Sequence, residues 1–336
     1  MKYKALGNTG LFVSELSLGT MTFGGTGGIW GLVGTLGQKE VNELVAEALD
    51  AGVNFFDTAN VYAEGRSEEL LGNAIKSRRK EVIIATKVRS RSGPGVNQVG
   101  LTRAHIMDEI DASLKRLGTD YIDMYLIHNS DPIADWEDTL RALDDLVRSG
   151  KVRYIGCSNL SGWEIMKARG ISQLHNLNSF KCSQSYYSLV GRDIEREVIP
   201  VLRDQNMGLL VWSPLAGGFL SGKFTRDQSD IYSRRSKFDF PPVNKEKGYA
   251  IIDVLQEIAA QREVSVGRVA LAWLLHQSAV TSVVVGARNT NQLRDNLQAC
   301  ELTLTESELS SLDEVSRLSM EYPGWMNAGP SDRFPR

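Results

Sequence analysis

Short apolar segments rich in β-branched residues recur along this chain at a nearly regular interval. Eight of them begin near residues 15, 54, 82, 121, 153, 180, 208 and 281, and six of the seven intervals are 27 to 39 residues long. An interval of that length holds one strand, one crossover helix and two loops, so successive strands are expected to run parallel. The spacing therefore predicts an α/β protein built from repeated strand-and-helix units.

Eight such units in about 270 residues favour a closed (β/α)8 TIM barrel over a doubly wound open sheet, which usually contains fewer strands. The length of 336 residues would alone suggest about two domains. A single barrel with insertions reaches this size, however, so residues 1–336 are predicted to form one barrel domain.

Two features lie near the start of the predicted barrel. Tyr3–Leu6 and Leu11–Val13 flank the turn sequence Gly-Asn-Thr-Gly, which predicts an N-terminal β-hairpin that covers the barrel floor. A glycine-rich segment, 24–37, follows the first barrel strand. Because glycine gives the backbone conformational freedom, this segment is expected to be a lid that moves.

Two more features lie in the C-terminal half. The long interval before the eighth strand predicts an insertion from about Ser221 to Val243 after strand seven, followed by helices over 247–262 and 265–277. Thr305 and Glu308 have the spacing of a capping box, which predicts a C-terminal helix ahead of the tail.

Composition and charge exclude several classes of protein. The 38 basic and 41 acidic residues leave a net charge of -3, so there is no basic field for nucleic acid. No window approaches the roughly 18 apolar residues of a membrane span, and no leader segment is evident, so a cytoplasmic protein is expected. Three widely spaced cysteines and four histidines support neither a disulfide framework nor a metal site. No G-x-G-x-x-G motif occurs, which argues against a Rossmann domain.

Polar residues stand at the carboxyl ends of the predicted strands, where the active sites of such barrels lie. Asp57, Lys87 and His128 end strands two, three and four, and Tyr62 lies five residues after Asp57. A phenol with a pKa near 10 is a weak acid at neutral pH, but a neighbouring ammonium lowers that pKa, and a carboxylate can hold the ammonium in place. These residues predict a proton-transfer site in which Tyr62 protonates a carbonyl oxygen that His128 orients.

Several motifs, in register from about residue 3 to 320, resemble those of the aldo-keto reductase superfamily. They are Asp57-Thr58-Ala59, Tyr62, Gly65-Arg66-Ser67-Glu68, Thr86-Lys87, Ile122-Asp123 with His128, Gly150-Lys151-Val152-Arg153-Tyr154-Ile155-Gly156 with Ser158-Asn159, and Trp212-Ser213-Pro214-Leu215. Through Ser221-Gly222-Lys223 and Tyr232-Ser233-Arg234, the resemblance is strongest to the potassium-channel β-subunit and bacterial general-stress type branch. The fold that it implies is the barrel that the strand spacing predicts.

The resemblance implies a catalytic tetrad of Asp57, Tyr62, Lys87 and His128, with Tyr62 as the general acid for reduction and the general base for oxidation. It also implies NADPH or NADP bound in an extended form across the barrel mouth, with NADH as a possible substitute. The residues implied for the cofactor are Gly19, Thr20, Met21, Asp57, Ser158, Asn159, Gln184, Trp212, Ser213, Pro214, Leu215, Ala216, Gly218, Lys223, Arg234, Gly286, Arg288, Gln292, Asp295 and Asn296.

Within this set, the family's pattern assigns the nicotinamide carboxamide to Ser158, Asn159 and Gln184, and assigns stacking on the nicotinamide ring to Trp212. Residues 213–223 would embrace the pyrophosphate, and residues 286–296 would surround the adenosine. Preference for NADPH rests on basic side chains that could pair with a 2′-phosphate. These side chains belong to Lys223, Arg234 and Arg288.

The predicted partner is a small-molecule carbonyl or alcohol, with neither nucleic acid nor a membrane involved. Trp30, Tyr62, His128 and Trp325 suggest an aromatic, mostly apolar substrate pocket. Ala63 and Asn129 stand where relatives often carry glycine and arginine, so the substrate cannot be transferred from the family.

The predicted function is therefore that of an NADP-dependent reductase or dehydrogenase, which moves a hydride between nicotinamide C4 and a carbonyl or alcohol carbon. Three alternatives stay open. The physiological direction could be oxidation of a sugar-like or pyridoxal-like alcohol. The protein could be a non-catalytic cofactor-sensing subunit, although channel-associated relatives carry asparagine where this chain has His128. Lys87 could form a Schiff base in an aldolase, because this barrel also hosts that chemistry.

Overall fold

A closed barrel of eight parallel strands forms the centre of the computed structural model, which describes residues 1–226 and 234–327. The strands of the barrel are β3 Leu16–Gly19, β4 Phe55–Asp57, β5 Ile83–Val88, β6 Ile122–Ile127, β7 Val152–Ser158, β8 Cys182–Tyr186, β9 Gly208–Trp212 and β10 Val280–Val285. They are hydrogen-bonded in chain order, and β10 closes the ring against β3. The predicted (β/α)8 TIM barrel is confirmed, with each predicted strand near its expected position.

Helices surround this barrel and cover its outer face. They are α1 Gly28–Val33, α2 Gln38–Asp50, α3 Arg66–Ile75, α4 Arg103–Leu117, α5 Trp136–Arg148, α6 Gly162–Leu174, α7 Val198–Asp204, α8 Arg234–Lys237, α9 Lys245–Arg262, α10 Val266–His276, α11 Thr290–Leu297, α12 Glu306–Ser316 and α13 Gly324–Asn327. All six residues of β6 are buried, as expected for a strand that has side chains packed on both faces. The apolar stripes of α4 and α5 point inward, which places the main core between barrel and helices.

The N-terminal hairpin closes the barrel floor, as predicted. Its strands, β1 Tyr3–Ala5 and β2 Phe12–Ser14, pair antiparallel. Leu6 and Val13 are fully buried in a separate cluster with side chains of the barrel strands, among them Met124. The hairpin therefore completes the hydrophobic interior at the end of the barrel opposite the strands' carboxyl termini.

The segment between β9 and β10 matches the predicted insertion and helix pair. The two long helices α9 and α10 begin and end within two residues of the predicted bounds. Part of the insertion, 227–233, lies outside the described residues. The capping box of Thr305 and Glu308 is present at the start of α12. No helix in the described parts of the chain is long and apolar enough to cross a membrane.

The glycine-rich segment 24–37, which is predicted to be a lid that moves, is folded in the structure. It contains α1 and folds back on itself, because Gly24 N donates to Leu36 O (2.9 Å) and Gly25 N donates to Gly34 O (3.0 Å). A side chain at Gly25 would collide with the Trp30 carbonyl oxygen, 2.2 Å from an added Cβ. At position 25, glycine is therefore required for close backbone packing.

Gly19 is tightly packed within the barrel wall. A Cβ at this position would lie 2.8 Å from a methyl group of Val284 on the adjacent strand β10. Its small size is thus explained by contact inside the barrel wall, where β3 meets β10.

Candidate active site

The carboxyl ends of the barrel strands bring the predicted polar residues to one mouth. Asp57 ends β4, Lys87 is the second-last residue of β5, and His128 directly follows β6. On the other side of the ring, Ser158 ends β7 and Trp212 ends β9. Parallel strands make this convergence unavoidable, because all their carboxyl ends face the same way.

Lys87 is held in a fully buried ion pair at the base of the mouth. Its Nζ donates to both Asp57 carboxylate oxygens, at 2.9 and 2.8 Å, and to the Thr58 carbonyl at 2.7 Å. Burial is the largest single effect and would lower the pKa of Lys87, but the charge and hydrogen bonds of Asp57, together with Tyr62, outweigh it and the pKa is raised. Lys87 is therefore an ammonium at neutral pH. This argues against a Schiff-base aldolase, which needs the neutral amine as its nucleophile.

Tyr62 lies above this pair at the start of a short 3-10 turn. The next two residues, Ala63 and Glu64, have left-handed backbone conformations with φ of 48° and 56°, which bends the chain sharply after the tyrosine. The Lys87 ammonium lies 5.1 Å from the centre of the Tyr62 ring.

The direction of the pKa shift at Tyr62 corrects the expectation from sequence. Burial raises the pKa of Tyr62 by more than the Lys87 charge lowers it, and Asp57 adds to the rise. Asp57 neutralises much of the field by which Lys87 was expected to acidify the phenol. Tyr62 therefore holds its proton throughout the neutral range, as a proton donor must.

His128 completes the group as a neutral imidazole. Its ring meets that of Tyr62 edge-on, with centroids 5.9 Å apart and planes at 75°. Burial, Lys87 and Arg89 lower the pKa of His128 to about 3. Its Nδ1 is buried and has no hydrogen-bond partner among the described residues. Such an unsatisfied buried atom beside Tyr62 is a site at which a polar ligand atom would be stabilised.

A buried polar network behind the mouth fixes the loop that carries Tyr62, and it explains the Gly65-Arg66-Ser67-Glu68 motif. Ser67 Oγ donates to Thr20 O at 2.8 Å, so the motif is tied to the end of β3. Glu68, fully buried, accepts from Thr86 Oγ1 at 2.5 Å and from Arg116 Nε at 2.6 Å. Thr86 immediately precedes Lys87, so this network supports the lysine from behind.

The residues assigned to the nicotinamide lie together on the β7–β9 side. Gln184 Nε2 donates to Asp57 Oδ1 at 2.7 Å, which links this group directly to the tetrad. Asn159 Oδ1 accepts from the Trp212 indole at 2.9 Å. A cavity of about 230 Å³ opens beside Asn159 and is lined partly by Tyr186.

The Trp212 indole already has two aromatic partners. Tyr186 packs at a tilt, 5.1 Å away, and Phe240 from the insertion stacks nearly parallel at 5.8 Å. Both rings therefore cover part of the Trp212 indole, the side chain that is predicted to stack on a nicotinamide.

The loop assigned to the pyrophosphate, 213–221, is a tight turn with several left-handed residues, among them Ser213 and Ala216. Sequence reasoning left Arg235 unassigned, yet Arg235 is buried and binds this loop. Its guanidinium donates to Ala216 O at 2.6 Å and to Pro241 O at 2.8 Å. The only signal in the sequence is a basic residue in a basic insertion, which does not distinguish a buried clamp from a solvated side chain.

The residues assigned to the adenosine lie around α11, but several are engaged with the protein. Arg288 Nη2 donates to the carbonyls of Leu32 and Val33, at 3.0 and 3.3 Å, and so caps the C-terminal end of α1. Asp295 accepts from Ser265 and Arg268, both at 2.6 Å. Gln292 and Asn296 bond to the backbone between Gly286 and Arg288.

Two other basic residues, Lys223 and Arg234, are also predicted to pair with a 2′-phosphate. Lys223 is exposed on the loop that follows β9. The side chain of Arg234, like Tyr232 and Ser233 of the same motif, lies outside the described part of the chain.

The two tryptophans assigned to the substrate differ in position. Trp30, on α1, contacts Tyr62 with ring centroids 5.9 Å apart. Trp325 lies on the short α13, is 54% exposed and packs against Tyr322. Trp30 thus lies beside Tyr62 of the tetrad, whereas the aromatic neighbour of Trp325 is Tyr322.

A closed parallel barrel with a lysine–aspartate pair, a tyrosine and a neutral histidine at its mouth defines an oxidoreductase that acts on carbonyl or alcohol groups. Comparison with known proteins agrees with this class. Residues 15–317 match the Aldo/keto reductase family, and the chain belongs to that family, as its motifs predict. Aldo-keto reductases use nicotinamide cofactors and bind small-molecule substrates.

Individual relatives match over nearly their full length. An oxidoreductase of Bacillus subtilis is 36% identical over 94% of this chain and 96% of its own. Versiconal hemiacetal acetate reductase of Aspergillus parasiticus is 34% identical over 96% of this chain and 99% of its own. A protein of Arabidopsis thaliana named "Probable voltage-gated potassium channel subunit beta" is 34% identical over 96% and 99%.

Proposed function

We propose that this single-domain barrel is an NADP-dependent aldo-keto reductase or dehydrogenase. In the reaction, one hydride moves between nicotinamide C4 and a carbonyl or alcohol carbon, and Tyr62 transfers the accompanying proton. The observation that carries the proposal is the convergence of the Asp57–Lys87 ion pair and the Tyr62 and His128 rings at the barrel mouth.

The residues at the mouth suit a nicotinamide cofactor. Ser158, Asn159 and Gln184 offer amide and hydroxyl groups of the kind that bind a carboxamide. In the loop after β9, a Cβ added at Gly218 would meet no atom within 4 Å, so this backbone is open to close approach. When bound, the cofactor supplies or accepts the hydride.

The protein's own groups would manage charge and protons. In reduction, Tyr62 Oη gives its proton to the substrate oxygen as the carbon gains the hydride, so the product is an alcohol. The Tyr62 phenolate left behind is stabilised by the Lys87 ammonium, and it recovers a proton from water. His128, being neutral, donates one hydrogen bond to the same oxygen and keeps it beside Tyr62. Oxidation uses the same steps in reverse, with the phenolate as base.

The proposed preference for NADPH rests on cationic side chains near α11 and the loop after β9. Arg288 is the principal candidate, because it lies just before α11 and its guanidinium bonds to the end of α1 through Nη2 alone, which leaves its other nitrogens to donate. A planar guanidinium matches a phosphate monoester through paired hydrogen bonds.

The experiment supplies purified protein with NADPH and a panel of aldehydes and ketones, then with NADP and a panel of alcohols. The same panels are run with NADH and NAD, so that the preference between the two kinds of cofactor is measured. Turnover in either direction, with NADPH or NADP preferred, is the expected result. Y62F should reduce kcat at least a hundredfold, since general acid catalysis contributes about 10²–10⁴, while NADPH still quenches tryptophan fluorescence.

A cofactor-sensing subunit is a second candidate, favoured by the relative named as a channel β subunit. It would show tight NADPH binding without turnover of any panel member. If wild type turns over no substrate in either direction, and Y62F behaves like wild type, the proposal that the protein is an enzyme is wrong.

A further inference from the structure

Arg89 stands at the mouth in a strained backbone conformation that the proposed chemistry does not explain. It follows the last residue of β5 and lies two positions beyond Lys87. Arg89 therefore lies at the carboxyl end of a barrel strand, where the mouth is. Its φ of 127° is a region that residues with a side chain rarely adopt, and such strain concentrates at ligand sites.

The surrounding backbone holds Arg89 in this conformation. Its carbonyl accepts from Gly100 N at 2.8 Å, and the preceding Val88 carbonyl accepts from His128 N at 2.8 Å. The position of the side chain is therefore set by two neighbouring loops, not by chance exposure.

The Arg89 guanidinium is only partly used by the protein. Its Nε donates to Ser130 O at 3.2 Å. Within residues 1–226 and 234–327, no carboxylate lies within 4 Å of its nitrogens, and Nη1 and Nη2 have no hydrogen-bond partner. The nearby Asp131 carboxylate interacts with the Arg89 charge but makes no hydrogen bond to it, because it accepts from the backbone of Leu101, Ile133 and Ala134.

The guanidinium lies beside the loop that follows β6, because its Nε bonds to Ser130 O, two residues after His128. The Arg89 charge also contributes to the lowered pKa of His128. Trp30 borders Tyr62 at 5.9 Å. A ligand whose reacting oxygen rests between Tyr62 and His128 thus has an aromatic ring beside it and a guanidinium with two free nitrogens on the adjacent loop.

We propose that Arg89 is a substrate-recognition residue, which binds the carboxylate of a carbonyl or alcohol substrate through Nη1 and Nη2. An end-on pair of hydrogen bonds from these two nitrogens matches a carboxylate, and charge-assisted bonds of this kind are about twice as strong as neutral ones. The inference rests on the proposed function and names its substrate class: aldehydes and alcohols, aromatic ones included, that carry a carboxylate away from the reacting carbon.

The test compares 4-carboxybenzaldehyde with its uncharged methyl ester, methyl 4-formylbenzoate, using NADPH. Wild type should show a kcat/KM at least about tenfold higher for the acid, mainly through KM. R89Q should lose that ratio. R89K keeps the positive charge but not the two parallel N–H donors of a guanidinium, so it should lose most of the preference for the acid. R91Q is the matched control, because Arg91 is exposed and bonds only to the carbonyls of its own loop.

A binding measurement accompanies the rates. Calorimetric titration of 4-(hydroxymethyl)benzoate into protein with NADPH, a pair that cannot react, should give an affinity that R89Q weakens about tenfold and R91Q leaves unchanged. If both aldehydes are reduced but the acid has no advantage, or if R89Q keeps the advantage, Arg89 does not recognise substrate. If no aldehyde, ketone or alcohol reacts with wild type, the proposed function fails instead.

Discussion

Removing the counter-charge of Lys87 is expected to destabilise the whole barrel. In D57N the Lys87 ammonium, which is fully buried, loses the carboxylate charge at 2.8–2.9 Å and keeps only neutral acceptors, among them the Thr58 carbonyl at 2.7 Å. Leaving a buried charge without its partner costs about 3–5 kcal/mol. For a chain of 336 residues, with an unfolding entropy of about 0.7 kcal/mol/K, that corresponds to a fall in Tm of roughly 4–7 °C.

The pH dependence of this cost has a definite sign. In wild type the folded-state pKa of Lys87 is raised above 10.5, so its stabilising effect is complete below pH 10.5 and is lost as pH rises through the folded-state pKa. In D57N burial, the largest effect on this group, is no longer opposed by the Asp57 charge, so the folded-state pKa is expected to fall below the unfolded value. The stability of D57N should therefore rise with pH between 7 and 10, while that of wild type stays level.

Scanning calorimetry of wild type, D57N, K87M and the double variant D57N/K87M provides the measurement. Because the pair is in direct contact, the double variant should be at least about 2 kcal/mol more stable than the sum of the single losses predicts. Additive losses, or a D57N variant whose Tm does not respond to pH, would refute the assignment of a buried ammonium.

Two further predictions concern the mouth of the barrel. The pKa of His128 is about 3 in the folded protein, so kcat for reduction should show no histidine titration between pH 5 and 8; an inflection near 6.5 in a stopped-flow pH profile would contradict a neutral imidazole. Because the unfolded chain binds the His128 proton more strongly, this group lowers stability as pH falls from 6.5 towards 3. R235M should weaken NADPH binding about tenfold by freeing the Ala216 and Pro241 carbonyls. Fluorescence titration measures this, with the exposed Lys237 changed to methionine as control, and equal affinities in both variants would exclude the clamp.

The barrel and the tetrad could be predicted because each rests on a local pattern. An apolar β-branched run marks a strand wherever it packs, and a polar residue that ends the run is carried to the mouth by parallel topology. The positions of Asp57, Lys87 and His128 follow from that rule alone.

What the sequence did not predict depends on contacts between distant segments. Helix α1 was missed because its glycines have low helix propensity, and packing against residue 288 compensates for that. The buried role of Arg235 and the free edge of Arg89 depend on which carbonyls and carboxylates lie nearby in space. The pKa of Tyr62 was expected to fall, and its rise reflects a balance of burial and two opposite charges that no spacing encodes.

The pairing of the first barrel strand with the last also orders events during synthesis. Leu16 on β3 lies opposite Val283 on β10, so hydrogen bonding around the ring cannot be completed until nearly the whole chain has left the ribosome. Until then β3 and β9 each expose an unpaired edge, the kind of surface at which strands of different chains associate. A chain that ends before β10 would keep both edges open, and we expect it to aggregate even though every tetrad residue is present.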